Sequence, residues 1–584
     1  MRNSFGRRAL ATLGTGVAIA SLACADHVRA QELPERSQVL DDTLASGAET
    51  NAEPIIVTGS RIRGVAPVGS PLLEQSRADL LASGATNATQ LVQNLPQILN
   101  QGVTEGSRTT SGGAGNITYS SGFNIRGIGP YATLTLMDGH RMVESGSSGG
   151  LPDPNAVPAI AIQRVEVIAD GASAIYGSDA VAGVVNLITR RRFNGIEARA
   201  LYGLSDDHAY NQYSAAIIAG QSWQSGNVTI SYEHTGHAAL NGADRDFFSA
   251  DLRSRGGNDY RGVQCGPANI VINGTSYAMP SLTANSANRC DQLKSQYLIP
   301  AQRRDSVMGS ITQEVGSRAT LKGNLLYTRR DFSFRPAPPT ATVQLPSTNP
   351  YFVLPGGVVA ASETVQTNFA GQAPPNTSSG YSKVLQVTAE LNWRLFSNFE
   401  LSGSYTYGRD ESYSLSTRGI NNVALATALA NTDAATALNP FGPNSATLLD
   451  SIFNAVFGAP GRNTLHQGEL NLSGSLLTLP GGDLRIAAGA EIIRQSIITG
   501  LDRGSVGAVL SSRNSSARTV KSVYGELLLP IVGSENAMPG LNSLQISLAG
   551  RLSEYSDVGT SKNPKIGVTW EPVRGLNLRG SYGT

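Results

Sequence analysis

The stretch Gln386-Val387-Thr388-Ala389-Glu390-Leu391-Asn392-Trp393-Arg394-Leu395 alternates between polar and apolar side chains at every step. Successive side chains of a strand point to opposite faces. Val387, Ala389, Leu391, Trp393 and Leu395 therefore share one side, and Gln386, Thr388, Glu390, Asn392 and Arg394 share the other. The pattern recurs at Val228, Ile230 and Tyr232, at Leu321, Gly323, Leu325 and Tyr327, and at Leu544, Ile546, Leu548 and Leu552. A soluble antiparallel sandwich also buries one face and wets the other. Three features favour a membrane barrel instead. The runs approach the ~10 residues that a tilted strand needs to cross a bilayer. Tyr and Trp stand toward the ends of the apolar faces, as at Trp393, Tyr405 and Tyr407. Short turns such as Ser397-Asn398 alternate with long connections starting at Ala238, Phe332 and Glu411, which fits short periplasmic turns and long outer loops. The reading is an antiparallel transmembrane β-barrel over residues 193–584.

The chain has 584 residues, more than one core usually holds, so at least two domains are expected. Net charge is +1 and mean hydropathy -0.12, which gives no electrostatic reason to expect a nucleic-acid partner. Beyond the first thirty residues no apolar run reaches the ~18 residues of a membrane helix, so any crossing must use strands.

Arg2, Arg7 and Arg8 precede an uncharged stretch from Ala9 to Ala25, and Val28-Arg29-Ala30 offers a cleavage site. Residues 1–30 thus read as an export signal. A membrane anchor is the bland alternative, but the stretch is short and lacks bulky apolar residues. A lipoprotein site at Cys24 is weakened because Ser21-Leu22-Ala23-Cys24 lacks the usual leucine. Removal of the signal leaves Cys265 and Cys290 in an oxidising compartment, where a disulfide closing a surface loop is expected. Two thiols without nearby histidines do not make a zinc site.

Residues 31–64 begin as a polar, acidic leader and end in the β-branched run Ile55-Ile56-Val57-Thr58. Residues 65–192 read as a mixed α and β domain. Ser76 with Asp79 can cap a short helix, and Thr86 opens a second that ends near Pro96. Strands are predicted at Phe123 to Arg126, Thr133 to Met137, His140 to Val143, Val165 to Ile168 and Val184 to Ile188, with Asp138-Gly139 as a hairpin turn. The fold class is therefore an α+β domain followed by an antiparallel β-barrel, mainly β overall.

Four segments carry a resemblance to a known family. They are Ile55 to Ile62; Phe123-Asn124-Ile125-Arg126-Gly127 with Thr133 to Arg141; Gln163 to Ile168; and Gly171-Ala172-Ser173-Ala174-Ile175-Tyr176-Gly177-Ser178-Asp179 continuing to Asn186. In this order, just after an export signal, they resemble the TonB-dependent outer-membrane receptors, whose small domain plugs the barrel. Asn563 to Val568 and Arg579 to Gly583 add a weaker likeness in the barrel. The resemblance implies energy-coupled uptake in the outer membrane of a Gram-negative bacterium. A TonB-like periplasmic energy-transducing protein would grip Ile55, Ile56, Val57 and Thr58 by adding them as a strand to its own sheet. The other partners implied are outer-membrane lipid and a small or medium-sized extracellular ligand such as a metal chelate, carbohydrate or peptide. No cofactor and no resident metal are implied.

Within the plug, Arg126 and Glu166 are expected to be structural, paired with each other, the wall or backbone carbonyls, because unpaired charge in a strand is costly. Gly127, Gly171, Gly177 and Gly183 are expected to serve tight turns and close packing. By resemblance the ligand-facing plug loops lie at Asn116 to Tyr119, Ile128 to Tyr131 and Ser145 to Asp153. Tyr119, Tyr131 and Asp153 are the ligand contacts to test, with a solvated loop role as the plain alternative.

Enzyme patterns are weak. Gly146-Ser147-Ser148-Gly149-Gly150 mimics a nucleophile elbow without its strand-turn-helix setting. Gly127-Ile128-Gly129-Pro130-Tyr131-Ala132 mimics a dinucleotide fingerprint but leads into a strand, not a helix. His234 and His237 could approach each other but lack a third ligand. No catalytic residue is assigned. A passive porin or adhesin-type barrel, or a signal-transducing receptor, are the competing readings. Roughly thirteen strand segments follow Asn194, against about 22 in plugged transporters, and Thr584 does not close an aromatic final strand, so a C-terminally truncated barrel is expected.

Overall fold

The structure, a computed structural model, describes residues 58–99, 104–107, 117–149, 151–369, 371–396 and 398–584. The export signal, most of the leader and Ile55 to Val57 lie outside the described residues.

Five short strands form the plug sheet: β1 (Leu72–Ser76), β2 (Thr133–Met137), β3 (His140–Arg141), β4 (Ile162–Ile168) and β5 (Gly183–Thr189). Their order is β1-β4-β5-β2-β3, antiparallel except for the central β5–β2 pair. β2 and β5 are buried along their whole length, which is why Thr133-Leu134-Thr135-Leu136-Met137 and Gly183-Val184-Val185-Asn186-Leu187-Ile188-Thr189 lack a wet face. Gly183 has φ +141°, and a Cβ there would sit 2.0 Å from the Ile168 carbonyl oxygen, so only glycine lets β4 and β5 approach.

The helix Arg77–Ser83 starts on the capping box of Ser76 and Asp79. The second helix, Ala88–Val92, is capped by Asn87, and Thr86 donates its N–H and hydroxyl to Gln90. Phe123 to Arg126 does not form the expected strand: it makes one bridge, Ile98 to Ile125, before Arg126 (φ +56°) and Gly127 (φ +69°) turn the chain left-handed. β1 was not expected, because Leu72-Leu73-Glu74-Gln75-Ser76 does not alternate; its pairing to β4 creates it.

Thirteen strands from Gly195–Leu204 to Leu576–Gly583 pair antiparallel with their neighbours in one sheet around the plug. Those two outermost strands are not paired with each other, so the sheet is not closed among the described residues. Its polarity is inside out. In Ser378–Phe396, Gln386, Thr388 and Asn392 are 1–4% exposed and face the plug, whereas Val387, Leu391 and Trp393 face outward at 39–49% exposure. The lumen takes the polar side chains because the plug fills it with hydrogen-bonding backbone. Among the described residues no helix is long and apolar enough to cross a membrane.

Short turns join strands at one end of this sheet, and three long connections leave from the other. These connections are folded together. Asn269–Ile272 from the first pairs with Ser362–Asn368 from the second, inside a five-stranded sheet of their own. The helices Asn422–Ala430 and Ala446–Ile452 of the third supply Leu425, Leu429, Leu449 and Ile452 to a shared core with Leu345, Val365, Phe369 and Phe453. A disulfide links Cys265 to Cys290 within the first connection. The result is a cap with its own hydrophobic interior.

Candidate functional site

Two places in the plug bear on function, one at each end of the lumen. At the short-turn end, the chain enters the plug at Thr58. Its N–H donates to Glu166 Oε2 at 3.0 Å, its hydroxyl donates to the same oxygen, and Asn186 Nδ2 donates to Thr58 Oγ1 at 2.9 Å. Glu166 is almost fully buried on β4, and Arg164 Nε donates to its other oxygen at 2.8 Å. Glu166 is thus paired, but with Arg164 and Thr58. Arg126, one of the partners expected for it beside the wall and backbone carbonyls, is solvent-exposed on a turn, where charge costs little. Thr58 is itself buried, so the last residue of the expected coupling strand is an anchor in this state.

The next residues reach the wall. The Ser60 hydroxyl donates to Glu526 Oε1 at 2.9 Å and the Arg61 N–H donates to Oε2 at 2.6 Å. Arg61 pairs with Glu469, and Arg63 with Glu400. Although burial disfavours its charge, Glu469 and its neighbours hold the Arg61 guanidinium protonated above its ordinary range. The rings of Tyr176 and Tyr524 lie 5.0 and 4.8 Å from that guanidinium. Further along, Gly69 meets the wall's last strands: a Cβ on Gly567 would lie 2.3 Å from the Val68 carbonyl oxygen. Gly127 and Gly177 hold positive φ as expected of turn glycines, whereas Gly171 does not, and only the Val181 carbonyl lies near it, at 3.7 Å from a Cβ position.

At the long-loop end, the plug presents Pro130, Tyr131 and Met142 to Ser148. Gly146 N–H donates to Asp410 at 3.0 Å, Val143 N–H to Gln386 at 3.0 Å, and Asn463 Nδ2 to the Gly146 carbonyl at 2.8 Å. Two adjoining cavities of about 300 and 310 Å³ open here and share Met142, Glu144, Gln495 and Arg518. Gln495 donates to Glu144 at 3.1 Å. Tyr131 is half-exposed at this opening, and burial together with the Glu144 carboxylate pushes its hydroxyl pKa up. Its phenol therefore stays a hydrogen-bond donor at neutral pH.

The other two expected contacts lie elsewhere. Tyr119 is fully buried at φ +53°, stacked on Phe334 at 4.9 Å and edge-on to Phe332 at 5.1 Å. Its carbonyl accepts from Gln302 at 2.7 Å and from Arg330. Asp153 is buried between Arg304 at 3.0 Å and Arg330 at 3.3 Å. Both fix plug loops to the wall. Sequence reasoning missed Glu144, Gln495 and Arg518; the last two sit on wall strands whose register to the plug no local pattern encodes.

His234 and His237 face opposite sides of one strand, His234 Nδ1 lying 2.8 Å from Asp305 and His237 Nε2 2.7 Å from Glu105. Among the described residues no group of three His, Cys, Asp or Glu is placed to hold a metal ion.

Comparisons with known proteins agree with this architecture. Residues 71–184 match the family model described as the TonB-dependent receptor plug domain, and residues 313–584 match the TonB-dependent receptor-like β-barrel. The fold is similar to a ferric enterobactin receptor from Pseudomonas aeruginosa, at 17% identity and TM-score 0.53, covering 88% of this chain and 62% of that one. It is similar to the ferric citrate transporter FecA in its unliganded form, at 12% identity and TM-score 0.53 with the same coverages. A siderophore receptor from Acinetobacter baumannii matches at 16% identity and TM-score 0.51, over 88% of this chain and 60% of that one. Such identities show a shared fold, and the chain spans about three fifths of the length of these receptors.

Proposed function

Because the chain belongs to the TonB-dependent receptor family, its two family models together covering about two thirds of it, we propose that it is an outer-membrane receptor for energy-coupled uptake of a polar organic ligand. The ligand class is a metal chelate, carbohydrate or peptide. It docks at the long-loop end, where Tyr131, Glu144, Gln495 and Arg518 offer donors and acceptors of both signs around cavities near the lower size of small-molecule sites. The carrying observation is the anchorage of Thr58. Tension on Ile55 to Val57, supplied by a TonB-like periplasmic protein adding them to its sheet, passes first into Glu166 and Asn186 on the plug's inner strands. The handle is then Ile55 to Val57, and Thr58 is the first link that the pull must break. The inside-out sheet supports the placement in the outer membrane, since its outward apolar face needs hydrocarbon. The family and fold are those of transport receptors, not enzymes.

Ferric enterobactin and ferric citrate, named for the similar receptors, are the first radiolabelled probes. Deleting Ile55 to Val57 should abolish uptake by whole cells and leave surface binding intact. Uptake that survives either this deletion or collapse of the proton-motive force would sink the coupled reading and favour a passive barrel.

A further inference from the structure

A further cavity, of about 510 Å³, opens at the long-loop end between the plug and the first strands of the wall, and it shares no lining residue with the two beside Tyr131. Its plug side is built by the short helix Ala88–Val92. Ala88, Leu91 and Val92 enter the plug core, which leaves Gln90 and, three residues on, Gln93 facing the wall. The wall side is a grid of lumen-facing side chains on Asn211–Trp223, Gly226–His237 and Ala301–Val315. Gln212, His237 and Gln302 stand in register as one row, and Thr235 with Arg304 as the next. Leu298 and Ile299 of the first connection and the plug loop 104–107 complete the lining. A Cβ on Gly106 would lie 2.6 Å from the Leu298 carbonyl oxygen, so glycine lets this loop tuck against the connection.

The charges in the lining are already matched. Glu105 lies 2.7 Å from His237 Nε2, and Arg304 is held by Asp153 at 3.0 Å and by the Asn155 carbonyl. The groups left to meet a ligand are neutral: the amides of Gln90, Gln93 and Gln212, the hydroxyls of Ser107 and Thr235, and the phenol of Tyr210. Burial and the Glu105 carboxylate push the Tyr210 pKa up, so this phenol stays a donor at neutral pH. Its ring stands 5.8 Å from the His237 ring and sets a flat face beside the hydrogen-bonding groups. Among the described residues of the lining no charge is left over for an ionic ligand, and burying one unpaired is costly. A neutral molecule with many hydroxyls meets donors and acceptors on both sides, and the volume lies within the ~300 to 1,000 Å³ of small-molecule sites.

We propose that this cavity is a second ligand site of the receptor and takes a short neutral oligosaccharide. Gln90 and Gln93 from the plug and Gln212 from the wall bind its hydroxyls, and a sugar ring lies against Tyr210. The site rests on the reading of the chain as a receptor open to the outside at its long-loop end, and it singles out carbohydrate among the ligand classes named there.

The test is saturation-transfer NMR on the full chain in dimethyldodecylamine oxide micelles, a detergent without a sugar head. Maltotriose, cellotriose, mannotriose and xylotriose are the neutral probes, and trigalacturonate is the anionic one. At least one neutral trisaccharide should receive saturation and trigalacturonate none. The variant Gln93→Ala, Gln212→Ala should raise the Kd of that sugar by about 10-fold. Silence from all four neutral probes, a measurement on wild type alone, overturns the site, as does trigalacturonate binding as well as they do. A signal that Tyr131→Ala removes and the double variant keeps would put the sugar in the other cavities, which overturns it too. Binding is read on purified protein, so each of these failures leaves energy-coupled uptake standing. Sugar binding together with uptake that survives deletion of Ile55 to Val57 would keep the site and sink the coupling.

Discussion

Asp153 stands between two buried guanidiniums, so Asp153→Asn leaves Arg304 and Arg330 without their countercharge. Breaking such a pair should cost about 3 to 5 kcal/mol, measured as a lower urea midpoint for the heat-modifiable band in detergent. Tyr131→Ala should instead weaken ligand retention at unchanged midpoint; a shift of both quantities in both variants would erase the distinction between anchor and contact. Glu363 makes a pH prediction. It is buried in the cap, accepts only the Val353 N–H at 3.3 Å among the hydrogen bonds resolved for it, and burial raises its pKa from 4.5 to about 7. A carboxyl that binds its proton more tightly when folded stabilises the cap fully below about pH 4.5. That contribution falls as pH rises and is gone once pH passes about 7. Protease nicking of residues 335–377 should therefore be faster at pH 8 than at pH 5 in wild type and lose this dependence in Glu363→Gln. At this scale the sequence discloses that Glu166 must be paired but not by what, because Thr58 lies 108 residues away and Arg164 only two.

Elements were more legible than residues. The hairpin turn Asp138-Gly139, the capping box at Ser76 and the alternating strands follow from local chemistry that acts over two to four positions, and the chain folds as that chemistry directs. β1 and the bridge at Ile125 depend on partners far along the chain, which is why local patterns misplace them. The cap is the largest element absent from the sequence reading, because its core draws on residues of three connections that are far apart along the chain. The disulfide closes a span of 25 residues inside one of them, worth about 3 kcal/mol in the loop-entropy account. Cys265→Ser with Cys290→Ser should expose residues 238–300 to protease while the barrel band on a gel persists. Loss of the band would mean that the disulfide holds the wall and not the cap.

For the whole molecule, the inverted polarity sets the rule for substitution. Val387 is largely open and Gln386 is hidden, so in water Val387→Arg would be nearly neutral. In a bilayer it should cost about 2 to 4 kcal/mol, read as a reduced folded fraction in liposomes, and a neutral result there would contradict the hydrocarbon-facing assignment. The cap adds a constraint in time. Its core joins residues 268 to 453, which are separated by four transmembrane strands, so its parts meet only after those strands have taken their places side by side. The disulfide, confined to one connection, needs no such wait. The cap's shared core is therefore expected to be the last part of the chain to order, after the first connection has been cross-linked and the wall strands have paired.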